Sequence, residues 1–171
     1  EAASKDANAL SVLDYVMNNG STGILDLNVN LPQRVLNAGA YVMDMADPGA
    51  YVMTAMPKAG QTLDDAKDIM LEQVAKLRNG DFSEEFIKAV TANLKLQQQN
   101  ALTSNAARAD YYVDAFVNGV DWADEVAAMN NLDKVTKADV VAAANKYLGD
   151  NNYVVIYKRQ GPDPNEVKLA K

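Results

Sequence analysis

Ala40-Tyr41-Val42-Met43-Asp44-Met45-Ala46-Asp47-Pro48-Gly49-Ala50-Tyr51-Val52-Met53-Thr54-Ala55-Met56 is the stretch that decides how this chain is read. Two runs rich in Tyr, Val and Met flank Asp-Pro-Gly. Proline presets φ and glycine permits φ > 0, so the centre is turn chemistry and the runs predict an antiparallel hairpin. Side chains alternate along a strand, which puts Tyr41, Met43 and Met45 on one face. Upstream, residues 4–18 carry Leu10, Leu13, Tyr15, Val16 and Met17 largely on one helical face, and Asn18-Asn19-Gly20 closes the helix. A second helical stretch, 21–31, carries Ile24, Leu25 and Leu27. It ends at Pro32, because the residue before proline avoids the α region.

Downstream, residues 62–148 read as almost continuous helix. Thr62 caps the first, with Asp64 and Asp65 complementing its dipole and Leu63, Ala66, Met70, Val74 and Leu77 forming its apolar stripe. Asn79-Gly80 ends it, and Ser83 caps the next, which carries Phe86, Ile87, Val90 and Leu94. A helix over 105–118 carries Ala109, Tyr112, Val113 and Phe116 and closes at Gly119. Thr136-Lys137-Ala138-Asp139 resembles a capping box opening a helix through Val140, Val141, Ala144 and Leu148. Tyr153-Val154-Val155-Ile156-Tyr157 predicts a last strand. The domain is expected over 1–158, with 159–171, which holds Pro162 and Pro164, as a linker or exposed tail. This order predicts an α+β fold with helices packed on one face of a mainly antiparallel sheet. Three strands make a thin sheet under so many helices. Either a further strand comes from outside the chain or one goes unrecognised.

Composition removes several function classes. The 171 residues are 49% hydrophobic and 23% charged, with nine glycines and five prolines, so a packed core is available and disorder is excluded. Sixteen basic against 23 acidic residues give a net charge of −7, which has no general attraction for nucleic acid or anionic lipid. No apolar run is long enough for a membrane span. There is no Cys and no His. Zinc-finger, Cys-protease and Ser–His–Asp chemistry are therefore impossible within the chain, and side-chain carboxylates suit Ca or Mg rather than Zn. Glu1-Ala2-Ala3-Ser4-Lys5 has no basic segment followed by an apolar one, so a mature or internal end is expected rather than a signal peptide. An extracytoplasmic address, periplasm or envelope, is the expectation for the compartment, although absence of Cys does not decide it.

Several passages, taken together, resemble the carboxy-terminal type of domain in the M16 metallopeptidases, the pitrilysin and insulin-degrading-enzyme family. Ala9-Leu10-Ser11-Val12-Leu13-Asp14-Tyr15-Val16-Met17-Asn18-Asn19-Gly20 is similar to its helix ending in a glycine turn. The hairpin followed by Pro57-Lys58-Ala59-Gly60-Gln61-Thr62 resembles its passage from strand through P-x-G-x-T to helix. Arg78-Asn79-Gly80-Asp81-Phe82-Ser83-Glu84-Glu85 resembles its helix–turn–helix link. Leu132 to Val140 followed by Lys146-Tyr147-Leu148 resembles its V-T-x-x-D-V and K-Y-L ending. The resemblance covers nearly the whole chain. The wider wording, in Gly119 to Glu125 and Tyr157 to Gly161, is similar to large four-domain bacterial members, and points to their second domain.

The resemblance implies an α+β M16/LuxS-like metallohydrolase domain. The family's H-x-x-E-H zinc motif has no counterpart here, so the implied role is non-catalytic. Such a domain forms chamber wall and binds extended peptide for hydrolysis by a separate zinc-bearing M16 domain, in the same longer chain or another subunit. No cofactor is implied in this chain, and zinc is expected in the partner domain. The family's substrate-contacting Arg and Tyr, seven residues apart, match Arg34 and Tyr41; both could donate to a carbonyl oxygen. The alternative is an Arg lying along the surface and a Tyr on a sheet face. Other readings stay open: a proteolytically inactive assembly subunit, or a carboxylate enzyme using Mg or Ca.

The remaining candidates have plainer explanations. Asp64, Asp65, Asp68, Glu84, Glu85, Asp121, Asp124 and Glu125 occupy places near helix starts, where carboxylates complement the dipole. Trp122, Tyr111 and Tyr112 could stack a ligand but fit core packing. Met43, Met45, Met53 and Met56 could form an adaptable peptide surface or fill core. Arg108 and Asp110 read as a surface charge pair.

Overall fold

A computed structural model describes residues 5–43 and 49–161. The expected turn at Ala46-Asp47-Pro48, with Asp44, Met45 and the tail from Pro162 onward, lies outside the described residues. The elements are α1 (Lys5–Met17), β1 (Asn37–Met43), β2 (Ala50–Met56), α2 (Leu63–Asn79), α3 (Glu84–Ala101), α4 (Asn105–Val117), α5 (Trp122–Asn131) and α6 (Lys137–Tyr147). The fold is α+β: a helical array on a two-stranded antiparallel sheet among the described residues.

α1 is the centre of the array. Val12, Leu13, Val16 and Met17 are at most 1% exposed, because α1 packs on α6, α3 and β1 together. α6 adds Val140, Ala143 and Ala144, α3 adds Ile87, Val90 and Leu94, and α2 adds Met70 and Leu77. The hairpin presents its inner face to these helices. Ala38 pairs with Ala55, Ala40 with Met53 and Val42 with Tyr51 on that face. Tyr51, Met53 and Ala55 pack against the core. Tyr41 and Met43 stand on the opposite face, as the alternation predicts.

The helix starts follow their capping chemistry. The Thr62 hydroxyl accepts from Asp65 N while the Asp65 carboxylate accepts from Thr62 N, and Thr136 and Asp139 repeat the arrangement at α6. Ser83 and Ser104 cap α3 and α4. Gly80 ends α2 at φ 72°, the left-handed conformation that leaves the helix and accommodates the turn into α3.

The structure corrects three expectations. The second helical stretch is a wider π-helical turn, Asp26–Asn30, preceded by one short helical step at Ile24 and Leu25. Tyr153–Tyr157 forms no regular element and joins no sheet among the described residues. Its alternation is real: Val154 and Ile156 are 87% and 89% exposed, and Val155 is 39%. The strand pattern is present, and no strand lies beside it among the described residues. Finally, the Tyr112, Val113 and Phe116 face of α4 points to solvent; the residue α4 buries is Ala115. The apolar stripe is where periodicity puts it, but no described element covers it. α5, which the sequence reading did not separate from its neighbours, follows directly and buries no residue.

Candidate functional site

The approach to β1 is built from one carboxylate. Asp26 Oδ2 accepts main-chain N–H groups from Asn19 (3.1 Å), Ser21 (3.0 Å) and Gly23 (3.0 Å), and the residue is 8% exposed. Gly23 permits the approach. A Cβ there would lie 2.8 Å from Asn18 Cα and 2.9 Å from the Met17 carbonyl oxygen. This knot fixes the exit of α1 and launches the π-helical turn. Charge-assisted hydrogen bonds to three N–H groups explain how a carboxylate is tolerated in the interior.

The turn then clamps the sheet. Asn30 Nδ2 donates to the Ala38 carbonyl (2.9 Å), and Ala38 N donates to Asn30 Oδ1 (2.9 Å). A side-chain amide thus takes the place of a neighbouring strand at one residue. In an antiparallel pair the main-chain groups of alternate residues point to opposite edges. Ala38 faces outward, so Ala40 and Val42 also face the free edge of β1. Asn18 Nδ2 reaches the Ala40 carbonyl at 3.4 Å, and no hydrogen bond closes Val42 among the described residues. On β2 the same alternation turns Tyr51, Met53 and Ala55 outward. Their main-chain groups are likewise open among the described residues.

Arg34 is held just before β1. Its N–H donates to the Val29 carbonyl (2.8 Å), its carbonyl accepts from Gln61 Nε2 (3.1 Å), and its guanidinium pairs with Glu72 of α2 at 2.7 Å. The hydrogen bond to Glu72 raises the guanidinium pKa, and the Arg34 partner lowers the Glu72 carboxyl. Both side chains are more than a third exposed, so the pair contributes under about 1 kcal/mol. Tyr41 is 46% exposed on the face of β1 turned away from the helices. No hydrogen bond or cation–ring contact joins Arg34 to Tyr41. Of the two sequence-matched residues, Arg34 precedes the hairpin and is committed to α2, while Tyr41 stands on β1 with its side chain exposed. Leu31 after the π-helical turn, Leu36 just before β1 and Met56 at the end of β2 are 75%, 66% and 55% exposed.

Under the hairpin, the Tyr51 hydroxyl and Asp14 Oδ1 are buried without a well-aligned hydrogen bond. Burial pushes the Asp14 carboxyl up, with Tyr51 acting in the opposite sense. Burial and the Asp14 charge push the Tyr51 phenol up. Sequence reading missed Asp14, Asp26 and Asn30, since each looks like an ordinary polar residue of a helix or loop.

The acidic residues do not assemble a metal centre among the described residues. Asp65, Asp121 and Asp139 are engaged in capping, and Asp64 accepts from Tyr157 Oη (2.6 Å) and Lys67 Nζ (2.9 Å). Those two contacts hold the Asp64 carboxyl below its ordinary range, and the one from Tyr157 ties residues 153–157 to the start of α2. The donor set does not fit catalytic zinc, which takes imidazole or thiolate with carboxylate and an open water position. Arg108 donates to Asn105 Oδ1 instead of pairing with Asp110. No helix of the described residues is long and apolar enough to cross a membrane.

Solved structures share this fold. A protease from Helicobacter pylori superposes with TM-score 0.79 at 20% identity, covering 86% of this chain and 36% of that one. A candidate zinc protease from Bordetella pertussis superposes with TM-score 0.76 at 20% identity, covering 91% and 88%. The inactive peptidase domain of a candidate zinc protease from Bordetella parapertussis gives TM-score 0.78 at 20% identity, covering 88% and 82%. The chain thus spans about a third of the Helicobacter protein and most of the two Bordetella chains. No family model and no curated protein matches the sequence.

Proposed function

We propose that this chain is a non-catalytic domain of a zinc metalloendopeptidase of the M16 type, corresponding to the second domain of a large bacterial member. It forms chamber wall and holds extended peptide for hydrolysis by a separate zinc-bearing domain. The observation that carries the reading is a protease-domain fold, shared with an inactive peptidase domain, on a chain with no imidazole or thiolate. A zinc-bound water cuts a strand only when that strand is positioned, and the positioning needs no metal of its own.

The outer edge of β2 and the Val42 end of β1, open among the described residues, support the second half of the reading. Unpaired main-chain groups at a sheet edge accept an extended peptide by strand addition, largely independently of its sequence. Tyr41, Leu36 and Met56 would supply apolar contacts, and Tyr41 a phenolic donor to a peptide carbonyl. Arg34 would contribute through its exposed part while paired with Glu72. Selection then falls on unfolded state and size, not on one side chain.

The test uses carboxymethylated α-lactalbumin as an unfolded probe. The chain alone is expected to bind it without cleaving it, with or without added zinc. Binding should shift the amide resonances of 37–43 and 50–56. Zinc-dependent cleavage by this chain would overturn the non-catalytic assignment. Shifts confined to other elements would overturn the edge as the binding site. An inert chain that binds no unfolded probe would favour the assembly-subunit role.

A further inference from the structure

α4 and α5 form an arm with little core of its own. α4 buries Ala115 alone and α5 buries nothing, yet Tyr112, Val113, Phe116 and Val117 are 54%, 58%, 86% and 71% exposed. The spacing i, i+1, i+4, i+5 puts these four side chains on one face of α4, with Ala115 on the other side. A helix apolar on two sides is built to be covered on two sides. The face is not floppy decoration: Tyr112 stacks on Trp122 of α5 with ring centroids 4.3 Å apart. Trp122 and Val126 then carry the apolar surface into a groove with Leu102 and Met129.

The charges around this face say what covers it. Across residues 105–131 Asp110, Asp114, Asp121, Asp124 and Glu125 stand against a single cation, Arg108, while Lys95, which lines the groove, is paired with Asp133 at 3.3 Å. Arg108 is turned onto Asn105. A second copy would bring the same five carboxylates to the contact, and an anionic lipid surface would bring more negative charge. Both are disfavoured by like-charge repulsion. A polypeptide whose apolar side is bordered by Lys and Arg matches both the centre and the rim.

We propose that the α4–α5 arm is a docking surface for a basic amphipathic helix, whose apolar ridge seats against Tyr112, Val113, Phe116 and Val117 while its cations meet the acidic rim. The row on α4 is a ridge of the kind that packs into a facing helix. This site is separate from the hairpin edges and does not depend on peptide being held there.

The test is a titration of the full chain into a fluorescein-labelled amphipathic helix of Leu and Lys, read by anisotropy. A Leu/Glu peptide of the same pattern is the control. Saturable binding is expected for the Leu/Lys peptide only. Phe116→Ser with Val117→Ser should weaken it by about tenfold or more, as loss of exposed apolar anchors at an interface core does. Asp110→Asn with Asp114→Asn should weaken it and flatten its salt dependence. All four positions are exposed, and far-UV circular dichroism verifies that the variants stay folded. Absence of saturable binding, equal binding of the Leu/Glu peptide, or affinity unchanged by the Phe116/Val117 variant would each overturn the proposal. So would a dimer in sedimentation velocity that the same variant dissolves, which would hand the face to a second copy. Vesicles of phosphatidylcholine and phosphatidylglycerol that bind the wild type and not the variant would hand it to lipid.

Discussion

A single carboxylate organises the passage from α1 to the sheet. Removing Asp26 leaves the N–H groups of Asn19, Ser21 and Gly23 without their shared acceptor. Asp26→Ala is expected to cost roughly 2–4 kcal/mol in urea unfolding, in line with an unsatisfied buried group plus lost charge assistance. Gly23→Ala should destabilise through overlap with the main chain at Asn18 and Met17 and with Asp26 Oδ2 itself, which the added Cβ would approach to 2.8 Å. Asp14 behaves in the opposite way. Its folded carboxyl is raised by burial, so the folded state holds the proton more tightly than the unfolded state. Asp14 therefore penalises the fold increasingly as pH rises from about 4 through its raised value. Asp14→Asn is expected to remove that part of the pH dependence and to match or exceed wild-type stability near neutral pH, measured by denaturation at acidic and neutral pH. Neither role was legible in the sequence. Asp14 and Asp26 are one-letter neighbours of many solvated aspartates, and only the three-dimensional positions of N–H donors and of Tyr51 tell them apart. Gln73 was equally illegible: it sits at 0% exposure in the α2 stripe, its amide shared with Asn28 and the Ile69 carbonyl.

At the scale of elements, helix boundaries were largely readable because capping is local chemistry. Thr62, Ser83 and Thr136 cap where the sequence places them. Thr62→Ala and Thr136→Ala should each lower stability by about 1 kcal/mol. Strand pairing was not readable in the same way, since it depends on what lies alongside. Tyr153–Tyr157 has a strand's alternation and no strand beside it among the described residues. Periodicity reports a side-chain preference, not the presence of a neighbour. The same lesson holds for α4, whose apolar face was legible and whose exposure was not. Hydrogen exchange separates the two edges of the hairpin. The inward amides of Val52 and Thr54 should exchange slowly, while those of Tyr51, Met53 and Ala55 exchange at least about tenfold faster. Uniform protection along β2 would mean that its outer edge is already paired.

For the whole molecule, the parts divide into a firm centre and surfaces that await contacts. α1, α2, α3 and α6, with Leu25, Val29, Val35 and Leu132 between elements, bury the large side chains, whereas the hairpin, residues 153–157 and the α4–α5 arm expose apolar or unpaired groups. Exposure concentrated in this way is the basis on which both proposed binding surfaces rest. Surface ion pairs such as Arg78–Asp150 and Lys95–Asp133 are exposed on at least one side and add little to that centre. The zero counts of His and Cys limited the chemistry from the outset, and the α+β class followed from element order. What the chain holds had to be argued from geometry, because main-chain edges have no sequence signature.

The most direct test of the central claim is hydrogen exchange of the full chain with and without saturating carboxymethylated α-lactalbumin, with the probe's integrity followed in the same samples in the presence of zinc. Added protection at Val42 or at Tyr51, Met53 and Ala55, with the probe left intact, is the expected result. Cleavage of the probe, or protection that bypasses both hairpin edges, would contradict it.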